Sequence, residues 1–145
     1  MAEPTIATEE VLYRRIPPGK DWFEPPDRIT SANFKLGKNK DGTREEGLSV
    51  YRASFVTPAE VLRRPGVEPG TRVAWAKAGS VRTLEGGNKK PLKLEVVVSD
   101  DENDPGHAEI RGPEPRKLSN SASNALRKLF QLIPDTASIG PPAVN

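Results

Sequence analysis

Residues 119–133 read SNSASNALRKLFQLI and form the longest helical pattern in the chain. Their apolar members recur at spacings of three and four, which is typical of an amphipathic helix packed on a core. This stripe, with the leucine that precedes it, consists of Leu118, Ala122, Ala125, Leu126, Leu129, Phe130 and Ile133. Because Pro134 cannot continue a helix, we predict one helix from about Ser119 to Ile133.

Strand patterns occupy the chain before this helix. Apolar and polar residues alternate, or β-branched and aromatic residues cluster, in several short segments. The predicted strands cover residues 11–16, 32–36, 48–55, 72–76, 92–98 and 107–111. No long helix separates them, so we predict an α+β fold. It would be a curved, mainly antiparallel sheet of five or six strands, with the C-terminal helix packed on one face.

A short helix is predicted at residues 58–64. Thr57 is a suitable capping residue, Pro58 suits the first helical position, and Glu60 lies where the acid of a capping box reaches back. Residues 78–84 are predicted to form one helical turn or a bend.

The length and the placement of the prolines indicate a single domain. The chain has 145 residues, and its 15 prolines lie largely between the periodic segments, where they end elements and do not mark disorder. We expect a flexible N-terminus over residues 1–10, one α+β domain over 11–134 and a flexible tail over 135–145.

The composition argues against several kinds of chemistry. There is no cysteine and one histidine, which excludes thiolate nucleophiles, disulfides and the usual zinc sites. No phosphate-binding loop motif occurs, and we predict neither a cofactor nor a metal. The chain has no apolar run long enough to span a bilayer, and its first residues do not resemble a signal peptide. We therefore expect a cytoplasmic protein with no membrane partner.

Whether the chain is an enzyme stays open in the sequence. His107 is the only imidazole, and Glu109 would share its face of a strand, as a general base and its orienting partner do. An arginine on the first strand, Ser49 and Tyr51 on a middle strand and Glu109 on a late strand resemble the order of Arg, Ser and Glu in ADP-ribosyltransferase-like folds. This alternative, or another small transferase or hydrolase, would use Arg14, Tyr51, His107 and Glu109.

A nucleic-acid-binding module is the second alternative. Aromatic residues beside basic ones can stack bases along a cationic path. Such neighbours occur at Tyr13 and Arg14, Phe34 and Lys35, Tyr51 and Arg52, and Trp75 and Lys77. The chain has 22 Lys and Arg against 20 Asp and Glu, mixed along its length. This balance does not favour nucleic acid, because nucleic-acid domains concentrate their basic residues on one face.

Four segments together resemble a group of small uncharacterised bacterial proteins. They are LYRRI at 12–16, SANFK at 31–35, LSVYRASFVTPAE at 48–60 and DPGHAEI at 104–110. The resemblance implies a bacterial, cytoplasmic origin and carries over no catalytic residue.

We interpret the chain first as a small bacterial protein-interaction module, such as an accessory component of a defence or toxin–antitoxin type system. Binding residues usually lie on loops held by a rigid scaffold, and this chain has several proline-rich loops between its periodic segments. The predicted contacts with a protein partner are Trp22, Phe23, Arg52 and His107.

Overall fold

The computed structural model describes residues 6–19, 21–24, 28–64, 66–87, 89–99 and 106–133. Its strands are β1 (Val11–Ile16), β2 (Phe23–Glu24), β3 (Arg28–Ile29), β4 (Leu48–Arg52), β5 (Arg72–Lys77), β6 (Glu95–Val98), β7 (His107–Arg111) and β8 (Gln131–Leu132). Six of them form one antiparallel sheet in the order β6-β7-β4-β1-β5-β8, and β2 pairs with β3 separately. The predicted α+β fold with a mainly antiparallel sheet is confirmed.

The helices are α1 (Pro58–Leu62), α2 (Ala78–Arg82) and α3 (Asn120–Leu129), with a 3-10 helix at Ser31–Phe34. The predicted capping box at the start of α1 is confirmed. The Thr57 hydroxyl accepts a hydrogen bond from the Glu60 N–H at 3.2 Å, and the Glu60 carboxylate accepts one from the Thr57 N–H at 2.9 Å. These two bonds satisfy N–H groups that a helix start otherwise leaves without partners.

One face of the sheet, here called the main-core face, carries the larger apolar cluster. Leu12, Val50, Ala76 and Ile110 point to this face and are buried among residues of α2, α3 and the 3-10 helix. Phe34 is fully buried there, and its ring lies 5.2 Å from that of Phe130. The C-terminal helix therefore packs on this face as predicted.

The opposite face, here called the Tyr51 face, is covered less completely. Its smaller cluster joins Tyr13, Tyr51 and Val73 of the sheet to Val56 and Val61. Since α1 is short and packs on β1 and β5, the more distant strands β7 and β6 keep half-buried side chains on this face.

The predicted strand at 32–36 is wrong, because Ser31–Phe34 forms a 3-10 helix. The alternation in that segment rested on three apolar residues, too few to separate a strand from a helical turn. The turn is fixed by Asn33, whose N–H and side-chain amide both donate to the Thr30 carbonyl, and whose amide also donates to the Trp22 carbonyl at 2.6 Å.

The predicted C-terminal helix is too long at its C-terminal end. Helix α3 ends at Leu129, Phe130 is extended with φ −70° and ψ 134°, and β8 follows. Leu132 pairs with Ala74 and Gln131 with Trp75, so the last predicted turn of helix adds an edge strand to β5 instead. Pairing with β5 gives these backbone groups partners that are distant in sequence, which the helical spacing did not reveal.

Two strands are shorter than predicted, and a small hairpin was missed. Strand β4 ends at Arg52, whose carbonyl accepts from the Phe55 and Val56 N–H groups in a turn. Strand β6 begins only at Glu95, because Lys93 has a left-handed φ of 55° that interrupts an extended chain. No strand is predicted between residues 17 and 31, yet Phe23 pairs with Ile29 and Glu24 with Arg28.

The outer edge of β6 is occupied by side chains. The Val96 N–H donates to the Glu95 carboxylate at 2.9 Å, and the Val96 carbonyl accepts from Arg82 at 3.5 Å. Arg82 also pairs with Glu95 at 2.6 Å and donates to the Ile6 carbonyl at 2.7 Å. Burial raises the pKa of Glu95, but the bonds from Arg82 and from the Val96 N–H outweigh it and the net pKa is lowered.

The chain ends are described in part. Ile6 is 3% exposed within the main core, and the Gly79 N–H donates to the Thr8 carbonyl at 2.9 Å. Residues 1–5 of the predicted flexible start, the predicted tail over 135–145 and residues 100–105 lie outside the described residues. No helix in the described ranges is long and apolar enough to cross a membrane.

Candidate functional site

A row of rings crosses the Tyr51 face on neighbouring strands. His107 pairs with Tyr51, Tyr51 with Tyr13, and Tyr13 with Trp75. Tyr13 and Tyr51 are 3% and 5% exposed, whereas His107 and Trp75 are half-buried. Burial is the larger cause of a raised pKa at Tyr13, and the charge of Glu10 adds to it. The two central rings are therefore part of the packing and are not open stacking platforms.

Two guanidinium groups and an imidazole ring lie around Tyr51. The Arg15 guanidinium donates to the Tyr51 hydroxyl at 3.4 Å and lies 5.5 Å from the ring centre. The Arg64 guanidinium lies 5.0 Å from the same ring centre, and the His107 ring meets it edge-on at 5.5 Å. Within the described residues, no carboxylate lies within ion-pair distance of Arg15. Two guanidinium groups thus lie against the Tyr51 ring.

The predicted catalytic residues are brought together only in part. Tyr51, His107 and Glu109 share one face of the sheet, whereas Arg14 follows Leu12 by two residues on β1 and points with it to the main-core face. Glu109 is bound by Arg111 of its own strand at 2.7 Å. A carboxylate held in this way has a partner and is less available to orient the imidazole.

Arg14 instead joins parts of the backbone. Its Nε donates to the Asn33 carbonyl at 2.8 Å and its Nη1 to the Ser49 carbonyl at 2.7 Å, with the Phe34 ring 5.7 Å away. Burial lowers the pKa of Arg14 to about 10, although the charge of Glu45 opposes the shift. The backbone pairing of β1 with β4 ends at Tyr13. After that point, the Arg14 guanidinium joins the two strands through its bond to the Ser49 carbonyl.

A cleft of about 310 Å³ opens where β1 and β4 part. It is lined by Arg14, Arg15, Pro17, Ser49, Gly66, Val67, Glu68 and Thr71. His107 and Glu109 do not line it, so this cleft does not collect the predicted catalytic set.

The predicted contacts Trp22 and Phe23 support the fold. Both are half-buried and pack against the main core. The Trp22 carbonyl accepts from the Thr30 N–H and from Asn33, and the Arg72 guanidinium lies 5.7 Å from the Phe23 ring. Their apolar surface is therefore largely used within the chain.

The predicted contact Arg52 lies beside Phe55, a residue within the predicted strand at 48–55. Phe55 is 52% exposed and is the exposed large apolar side chain of the described residues, with the Arg52 guanidinium 4.1 Å from its ring centre. A Cβ atom on Gly106 would lie 2.6 Å from the Phe55 Cβ, so the backbone at Gly106 lies directly against Phe55. We call Arg52, Phe55 and Gly106 the Phe55 corner. Strict alternation puts Phe55 on the face of Tyr51, but the turn after Arg52 rotates it outward.

The single imidazole is held by the backbone. His107 Nδ1 lies 3.2 Å from the Ser99 carbonyl. Three or more potential metal ligands do not gather anywhere in the described ranges. Asp104, which could have joined His107, lies outside them.

Comparison with known proteins gives no relative. No family model matches the chain, and no curated protein or solved structure is significantly similar to it.

Proposed function

We propose that this chain is a small α+β protein-interaction module that docks on a protein partner through the Phe55 corner. The partner would offer an apolar socket for the Phe55 ring. The bacterial origin, the cytoplasmic location and a role in a defence or toxin–antitoxin type system form part of the same proposal, and rest on the sequence resemblance.

The observation that carries the proposal is the exposure of Phe55. A phenylalanine that is 52% exposed keeps about half of its apolar area in water, while the other large apolar residues of the described chain are buried or half-buried. Aromatic side chains are enriched at the centres of protein interfaces. Arg52 is itself buried, at 8% exposure, so it supports the ring from within the chain. Here the Arg52 guanidinium stacks on the ring at 4.1 Å and holds it in place, so little side-chain entropy remains to be lost on binding.

The surroundings fit a docking site better than a catalytic one. The Arg52 N–H donates to the Gly106 carbonyl at 2.9 Å, which ties the corner to the start of β7 and places it next to His107. An enzyme using Arg14 would need donors that now bind the Asn33 and Ser49 carbonyls. A single-strand binder would need the rings of Tyr13 and Tyr51, which are buried.

The test uses the full chain and the purified products of its neighbouring genes. Binding is measured by titration calorimetry with wild type, Phe55→Ala and Phe55→Leu. We expect a complex with one product that Phe55→Ala weakens by about thirtyfold, equivalent to about 2 kcal/mol. The leucine variant should recover part of this loss.

Phe23→Ala is the matched control, since it removes the same side chain from a half-buried position. Its fold is checked by circular dichroism, and its affinity should stay within about threefold of wild type. Binding that survives Phe55→Ala unchanged, or the absence of binding to every neighbouring product, contradicts the proposal.

A further inference from the structure

A second cleft lies at the start of α3, beside residues of the main core. Its volume is about 470 Å³, within the range of about 300–1,000 Å³ typical of small-molecule sites. Its apolar lining consists of Leu36, Leu92, Leu94, Leu118, Pro113 and Ala122. Its polar lining includes Lys35, Arg44, Arg116, Lys117, Glu114 and Ser119. An apolar floor thus meets a rim with four basic side chains.

The positive charge of this rim is only partly balanced. Lys117 pairs with Glu114 at 3.3 Å, and Arg116 pairs with Glu46 at 3.2 Å. Lys35 and Arg44 have no carboxylate within ion-pair distance among the described residues. Two cationic side chains at one rim are therefore available to an anionic ligand.

The wall of the cleft is held in a defined shape. A Cβ atom on Gly112 would lie 2.6 Å from the Lys117 carbonyl oxygen, so this turn closes tightly only with glycine at that position. Arg116 has a left-handed φ of 57°, and its guanidinium donates to the Arg44 carbonyl and to Glu46. Arg44 in turn donates to the Leu36 carbonyl at 3.3 Å. Groups fixed in this way lose little entropy when a ligand binds.

We propose that this cleft binds a small organic phosphate with an apolar body. The body would lie on the leucine floor, and the phosphate would meet Lys35 and Arg44 at the rim. Arginine and lysine both bind phosphate oxygens through charge-assisted hydrogen bonds. A carboxylate alone would leave part of the charge of the rim unbalanced, whereas a phosphate monoester carries close to two negative charges at neutral pH. The proposal does not depend on the Phe55 corner.

The probe is 1-naphthyl phosphate, followed by titration calorimetry and by the amide shifts of the labelled protein. We expect binding in the range of about 10–500 μM, with shifts at Lys35, Leu94 and the segment 112–122. Two probes separate the parts of the ligand. 1-Naphthol and inorganic phosphate should each bind at least about tenfold more weakly, because each lacks one half of the interaction.

Matched variants locate the charge. Lys35→Gln should weaken the naphthyl phosphate about fivefold, and Arg44→Gln about as much. Lys40→Gln removes the same charge from an exposed turn residue outside the cleft and should leave the affinity unchanged.

Three results would overturn the proposal. They are no binding of the probe at millimolar concentration, equal affinity for 1-naphthol, and equal losses with Lys35→Gln and Lys40→Gln. Phe55→Ala should bind the probe like wild type, so failure here is distinguishable from failure of the docking proposal.

Discussion

The two faces of the sheet are built from the same strands, yet they are used differently. The main-core face is covered by α2, α3 and the 3-10 helix, and its central side chains are fully buried. The Tyr51 face is covered by the five-residue α1 over β1 and β5, and it keeps half-buried polar and charged residues on β4 and β7. The difference indicates that the main-core face contributes most of the stability. The Tyr51 face keeps side chains that can contact another molecule.

The largest loss of stability is expected from Leu126→Ala in α3. Leu126 is fully buried on the main-core face, and removing three of its carbons leaves a cavity. We expect a cost of about 3 kcal/mol and a fall in melting temperature of roughly 10 °C. Leu129→Ala, at a half-buried position of the same helix, should cost clearly less. Equal losses in thermal melts would contradict the assignment of stability to this face.

The second loss is expected from Arg14→Leu, where the two strands part. The Asn33 and Ser49 carbonyls would lose their charged donors, at a cost of about 2 kcal/mol in urea unfolding. Arg15→Leu, on the Tyr51 face, is the control and should cost less than half as much. A fully stable Arg14→Leu would show that this guanidinium is not a structural bridge.

A smaller loss is expected from Thr57→Ala at the start of α1. The variant removes the hydroxyl that accepts from the Glu60 N–H, and such caps contribute about 1 kcal/mol. Thr57→Ser keeps the acceptor and should retain most of the stability in the same measurement. If serine and alanine behave alike, the cap does not stabilise α1.

The contribution of the Glu60 carboxylate to the same cap can be measured with Glu60→Gln at different pH values. Hydrogen bonds from Thr57, its backbone N–H first, lower the pKa of Glu60. A carboxyl whose pKa is lowered by folding stabilises the protein above its unfolded pKa, and the contribution is lost as the pH falls through the folded value. The difference in melting temperature between wild type and Glu60→Gln should therefore be present at neutral pH and vanish in acid. A difference independent of pH would exclude the carboxylate as its source.

The smallest effect on stability is expected from Phe55→Ala. About half of its side chain is in water, so the free energy of unfolding should change by less than about 1 kcal/mol. A change above about 1 kcal/mol in chemical denaturation would mean that the ring belongs to the packing. The contrast with Leu126→Ala measures how differently the main core and the Phe55 corner contribute to stability.

Much of the fold could be predicted from local sequence patterns. The capping box at Thr57, the strands β1, β5 and β7 and the α+β class could all be predicted, because they depend on neighbours in the chain. The segment 31–34 and the end of α3 were mispredicted, because contacts distant in sequence decide them. Asn33 takes its partners from the Trp22 region and from Arg14, and Gln131 and Leu132 take theirs from β5.

The candidate sites were less accessible to sequence reasoning. The sequence suggests a catalytic role for Arg14 because it does not show which carbonyls this side chain binds. In the structure those acceptors are the Asn33 and Ser49 carbonyls. Arg52 was singled out, but Phe55 was not, because a short turn reverses the side that alternation assigns to it. The cleft at the start of α3 draws Lys35, Arg44 and the 112–119 segment together from separate parts of the chain.

The pair formed by Arg82 and Glu95 has a consequence for how molecules of this protein meet one another. An edge strand with unpaired backbone groups can act as a template for a strand of another molecule and start aggregation. At β6 the N–H and C=O groups of Val96 are already satisfied by these two side chains. Arg82 also donates to the Ile6 carbonyl, so loss of this contact would leave Arg82 less well held at the edge of β6. We therefore expect resistance to self-association to depend on the contact of Ile6 with Arg82, and removal of residues 1–6 should raise light scattering in concentrated samples.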